Sequence, residues 1–161
     1  MTYLKLEISG RRLQNRAEEE WKKIEYFNPV KSKQDEGDDW VEFDGDDYFT
    51  QLQFYIDCCN NVATVKNILY SYPEVNAAVI LFNEESSKLE KLNKAVENTR
   101  NHLKSTNENY APRIDFTKLL EIRDTQRKLV AELDDKCTSL KISTNVEVPK
   151  ELDEFLTKYG N

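Results

Sequence analysis

The sequence predicts an α+β fold, predominantly helical, with a small antiparallel sheet and a long antiparallel helical hairpin. Three observations point there. No glycine lies between Gly45 and Gly160, and sheet-rich folds with many tight turns rarely manage so long a run without one. Apolar residues recur at spacings of three and four through most of that run, the period of a helix with one dry face. Near the two ends, by contrast, apolar and polar residues alternate, the period of a strand.

Taken in order, Leu4, Leu6 and Ile8 alternate with Lys5, Glu7 and Ser9, which predicts a strand over residues 2–9 closed by Gly10. From Arg11 the spacing becomes helical through Leu13, Ala17, Trp21 and Ile24, ending before Asn28-Pro29, because proline pushes the preceding residue out of helix. Residues 31–39 carry no apolar side chain and read as an exposed acidic loop. Trp40-Val41-Glu42-Phe43 reads as a second short strand over 40–43.

Asp44-Gly45-Asp46-Asp47 suits a helix start, where unpaired N–H groups and the dipole favour carboxylates. Tyr48, Phe49, Leu52, Tyr55, Ile56, Cys59, Val62 and Leu69 then carry that helix to about residue 71, with Asn60-Asn61 as a candidate break. Ser71-Tyr72-Pro73-Glu74 has the form of a capping box.

The hairpin follows, with arms over about 74–104 and 115–137. Val75, Ala78, Phe82, Leu89, Leu92, Val96 and Leu103 stripe the first arm; Phe116, Leu119, Leu120, Val130, Leu133 and Cys137 stripe the second. Glu85, Arg123 and Gln126 interrupt the stripes, which argues against a clean two-stranded coiled coil and for packing on further helices. Leu140, Ile142, Val146 and Val148 restore alternation and predict a strand over 139–148 that pairs with the first. Pro149 opens a short terminal helix. At 161 residues this is expected to be a single domain spanning 1–161.

Charge is the most informative feature. Asp35, Glu36, Asp38, Asp39, Glu42, Asp44, Asp46 and Asp47 fall in thirteen residues that hold no lysine or arginine, whereas the whole chain carries a net charge of −7. Everything outside this segment is therefore nearly balanced, and the acidity is a local, directional field. Trp40, Phe43, Tyr48 and Phe49 lie among or beside the carboxylates and supply the apolar anchors an interface needs.

These residues together predict a docking surface for a basic protein partner. A narrower form is phosphate mimicry, in which the carboxylates occupy the groove of a nucleic-acid-binding protein. Small, acidic, glycine-poor chains of this kind are also typical of phage or mobile-element antagonists of host defence, an analogy of composition alone.

Other classes fare worse. Direct nucleic-acid binding needs a basic footprint, and the cluster Arg11, Arg12, Arg16, Lys22 and Lys23 is offset by Glu18, Glu19 and Glu20. No phosphate-cradling glycine loop or nucleophile motif is present, and His102 is the sole histidine. The expectation is a non-catalytic protein without cofactor or metal; the alternatives are a divalent-metal-dependent enzyme using Glu42 and Asp44, or a self-assembling helical protein. With Gly37 or Gly45 at the turn glycine of a calcium loop, its ligand positions fall on Ser32, Trp40, Phe43 or Gln51, so an EF-hand is excluded.

Cys58, Cys59 and Cys137 are odd in number and two are adjacent, which predicts free thiols. The absence of a secretory leader or a membrane-length apolar run predicts a cytoplasmic location. Homo-oligomerisation along the hairpin is compatible with all of this.

Overall fold

A computed structural model describes residues 1–26, 45–105 and 113–160. Five helices make up about 89% of these residues: α1 (Tyr3–Glu25), α2 (Gly45–Tyr70), α3 (Pro73–Ser105), α4 (Phe116–Ser143) and α5 (Lys150–Tyr159). Among the described residues there is no strand, and none of the helices is long and apolar enough to cross a membrane. The fold is all-helical, which corrects the expected α+β class.

Both testable strand assignments fail for the same physical reason. Alternation over five residues is also one flank of a helical stripe, and the longer stripe decides. Tyr3, Leu6, Gly10, Leu13, Ala17, Glu20 and Ile24 are all buried, a strict three-four spacing that runs back through residues 2–9 and leaves Ile8 41% exposed. Thr2 caps this helix, its hydroxyl accepting from the Lys5 N–H at 3.3 Å.

At the other end, Leu133, Cys137 and Leu140 continue the stripe of α4 past residue 139. Thr144 stops it, its hydroxyl and N–H both donating to the Leu140 carbonyl, at 2.8 and 3.0 Å. What remains of the expected sheet is one antiparallel bridge between Thr2 and Asn145, with the Val146 N–H donating to the Met1 carbonyl at 2.8 Å. The strand expected over 40–43 lies outside the described residues.

Two local expectations also change. No break occurs at Asn60-Asn61, because the Asn61 amide donates to the Asp57 carbonyl at 2.8 Å and Thr64 donates to that of Asn60 at 3.0 Å. Ser71 does not cap α3; its hydroxyl donates back to the Ile68 carbonyl at 2.6 Å. Pro73 instead opens α3 at the first helical position, where its missing N–H costs nothing.

The described chain divides into two compact units, Met1–Ser71 with Asn145–Asn161, and Tyr72–Thr144. In the first, α1 and α2 pair antiparallel: Gly10 lies against Val65 and Trp21 against Tyr55. Cys58, Val62 and Val65 are the buried residues of α2.

The α5 helix seals one flank of that pair through buried Leu152 and Leu156. Phe54 meets Phe155 and Tyr159 there, with ring centroids 6.4 and 4.8 Å apart. The Arg16 guanidinium lies 5.6 Å from the Phe54 ring and 5.4 Å from the Tyr159 ring, a cation–π contact that a desolvated flank strengthens.

The second unit is the hairpin of α3 and α4. The Gln126 amide donates to the Glu85 carboxylate at 2.8 Å and to the Glu85 carbonyl at 3.1 Å. That one crossing requires an antiparallel pair. A parallel one would set Ser105 and Phe116 about 45 Å apart along the axis, beyond the roughly 40 Å that eleven extended steps can span.

Gly10 sets the separation of α1 and α2. A Cβ there would lie 2.6 Å from Cγ1 of Val65, a stiff β-branched side chain that cannot swing aside. Gly10→Val is expected to destabilise the protein by about 1–3 kcal/mol in urea unfolding, with Val65→Ala in the same chain recovering part of the loss. An unchanged midpoint would show that the helices do not approach this closely.

Candidate functional site

Of the predicted docking residues, Asp35, Glu36, Asp38, Asp39, Trp40, Glu42, Phe43 and Asp44 lie outside the described residues, so neither the docking surface nor the metal alternative at Glu42 and Asp44 has a described geometry. Asp46 belongs to the first turn of α2 by its backbone. Asp47 is exposed and Tyr48 half-buried, its ring edge-on to Phe49 at 5.5 Å between centroids. Phe49 itself is 68% exposed.

Among the described residues there is also a groove that sequence reasoning missed. It lies between α1 and α2, holds about 560 Å³, and opens to solvent. Its lining includes the buried Ala17 and Val62 together with Trp21, Tyr55 and Cys59.

Trp21 was expected in the dry stripe of α1. The stripe instead runs through Glu20, whose carboxylate reaches Lys23 at 2.8 Å, and Trp21 sits one residue to the side, 43% exposed. Its ring leans on Tyr55 with centroids 5.2 Å apart. A large indole that stacks on a tyrosine and stays 43% exposed suits an apolar anchor. The signal was present only in the longer stripe: the alternating three and four steps from Tyr3 through Leu6, Gly10, Leu13 and Ala17 lead to position 20, whereas Leu13, Ala17 and Ile24 alone admit 21.

Around this apolar strip the walls carry Glu18 and Glu25 against Lys22 and Lys66, so the groove itself has no net charge. Glu18 is further engaged by Gln14, whose amide donates to it at 3.3 Å. The eight clustered carboxylates of residues 35–47 lie in sequence between the end of α1 and the first turn of α2.

Burial pushes the Cys58 thiol up to about 11, with the Arg16 charge opposing it, so it is a protonated core side chain at neutral pH. A hydrogen bond with the Cys59 thiol raises the Tyr55 phenol above its ordinary value. All three cysteines are free, with Cys58 and Cys137 buried and Cys59 half-buried on the groove. His102, in the last turn of α3, has its Nδ1 2.7 Å from the Asn98 carbonyl. No cluster of three His, Cys, Asp or Glu able to hold a metal ion occurs among the described residues.

No protein-family model, curated protein or solved structure matches this chain.

The burial order predicts a reactivity order. In native protein at pH 8, iodoacetamide is expected to modify Cys59 first, with Cys58 and Cys137 protected until denaturant is added. Peptide mass mapping reads this directly, and early modification of Cys58 would contradict its buried environment.

Proposed function

We propose that this is a non-catalytic interaction protein, an adaptor or inhibitor, that presents residues 35–49 to a positively charged protein partner. The observation that carries the reading is that the Trp21 groove runs along α1 to Glu25, the helix end from which the chain leads in sequence toward the acidic segment. Carboxylates accelerate encounter over a distance, and desolvated aromatics then slow dissociation. Trp21, 43% exposed, adds a further anchor to the aromatics recognised in the sequence, of which Phe49 is 68% exposed. Phosphate mimicry is the narrower form of this proposal and makes one further demand, that nucleic acid compete for the partner.

The experiment is capture of partners from a native lysate at low and raised salt, followed by kinetics with variants. Changing Asp38, Asp39, Asp44 and Asp46 to Asn is expected to slow association about tenfold or more at low salt and to flatten the salt dependence. Trp21→Ala is expected to raise the dissociation rate, weakening binding by about 1–3 kcal/mol, and a bound partner should shield Cys59 from iodoacetamide. Association that is unchanged by the four Asn substitutions ends the docking proposal.

Self-assembly is a second reading, favoured by one observation. Ile80, Leu81, Ile122 and Leu129 on the hairpin are 40–58% exposed, an unusual number of branched apolar side chains for the outside of one helical pair. Light scattering that stays monomeric across a hundredfold range of concentration would remove it.

A further inference from the structure

The seam of the hairpin is built from two stripes with the same strict spacing. On α3 it runs through Val75, Ala78, Phe82, Glu85, Leu89, Leu92, Val96, Thr99 and Leu103, and on α4 through Phe116, Leu119, Arg123, Gln126, Val130, Leu133, Cys137 and Leu140; every one of these is buried or half-buried. Because the stripes repeat every seven residues, apolar burial alone fits alignments one heptad apart almost equally well.

One alternative even gains contact. With Gln126 level with Glu85, Phe116 stands roughly level with residue 95 of α3, so the last turns of α3 run on past the first residue of α4. Sliding α4 one heptad toward the C-terminus of α3 moves it about 10 Å and lengthens the helix–helix overlap by roughly five residues.

The polar residues oppose this. The same translation would carry Glu85 opposite Leu133 and Gln126 opposite Leu92; the reverse slide would carry Glu85 opposite Leu119 and Gln126 opposite Ala78. Either way a carboxylate and an amide lose each other and face hydrocarbon. In the observed alignment the Glu85 side chain is only 13% exposed and accepts two hydrogen bonds, from Gln126 at 2.8 Å and from Lys88 at 2.6 Å, while the Gln126 amide also donates to the Glu85 backbone carbonyl at 3.1 Å. A slipped Glu85 keeps Lys88, which shares its helix, but the Gln126 amide is left facing hydrocarbon without a partner, which costs more than the paired layer does.

We infer that the Glu85–Gln126 layer is the register lock of the hairpin, holding α3 and α4 against a competing alignment displaced by one heptad toward the C-terminus of α3. The lock lies within the hairpin and is independent of the docking proposal. It gives the chain a two-alignment element in which one hydrogen-bonded layer decides which residues of α3 each seam residue of α4 meets.

The test is an electron–electron distance measurement on the full chain, with spin labels at the exposed positions 83 and 138 and the native cysteines changed to alanine. The parent should give one distance. Glu85→Leu with Gln126→Leu should add a second, shorter population, its axial separation reduced by about 10 Å. Glu85→Gln preserves an amide-to-amide hydrogen bond and should keep the parent distance. The decisive variant moves the lock: Glu85→Leu with Leu92→Glu leaves Gln126 in place and should convert the distribution to the shorter distance. Retention of the parent distance in the moved-lock variant and in the double leucine variant alike would overturn the inference and assign the register to the chain connections.

Discussion

The structure depends on a constraint that acts over most of the chain: apolar residues at three-four spacing with almost no glycine to interrupt them. Such a segment forms a long helix, and a long helix with one dry stripe is stable only when the stripe is covered. Covering a stripe requires another of equal length beside it. That requirement produces both pairs, α1 with α2 and α3 with α4, and it leaves little for a sheet to do. The short α5 has a hydrophobic face too small for a pair of its own and seals a flank instead.

Within each pair, uniqueness comes from the residues that break the apolar rule. Gly10 allows the closest approach of α1 to α2, so that Val65 can enter the space a side chain would have filled. Glu20 occupies a stripe position yet keeps its charge satisfied by Lys23 at 2.8 Å. Arg16 crosses the aromatic rings that fasten α5. Glu85 and Gln126 do the same work in the hairpin by finding each other. Buried polar groups are weak contributors to stability but strong discriminators between alignments, because a wrong alignment leaves them unsatisfied. Ser86, beside that layer, keeps a buried hydroxyl oxygen with no hydrogen-bond partner among the described residues, a cost the seam tolerates.

The parts of the fold legible in the sequence were those carried by long periodicity. The two arms of the hairpin, the helix from residue 46 to 71 and the terminal helix after Pro149 all follow from the stripe and its punctuation. The ends misled because Leu4, Leu6 and Ile8, and likewise Leu140 and Ile142, are too few to separate period two from the flank of period 3.6. Gly10 reinforced the error, since a glycine that serves close packing looks the same in sequence as one that ends a strand. Trp21 was misplaced by one position for a related reason. An aromatic is expected in the core and a glutamate outside it, whereas here Glu20 takes the seam and the indole takes its edge.

By itself the sequence determined that the chain is helical through its middle, that its acidity is concentrated in residues 35–47, and that its thiols are free, because period, charge and cysteine spacing are all local properties. Tertiary structure alone decided that the ends are helical, that an exposed groove forms around Trp21 and Tyr55, and that Glu85 meets Gln126 across forty-one positions of chain. Those outcomes depend on which stripe faces which, and pairing between distant segments is settled by packing and hydrogen-bond satisfaction that no single window of sequence contains.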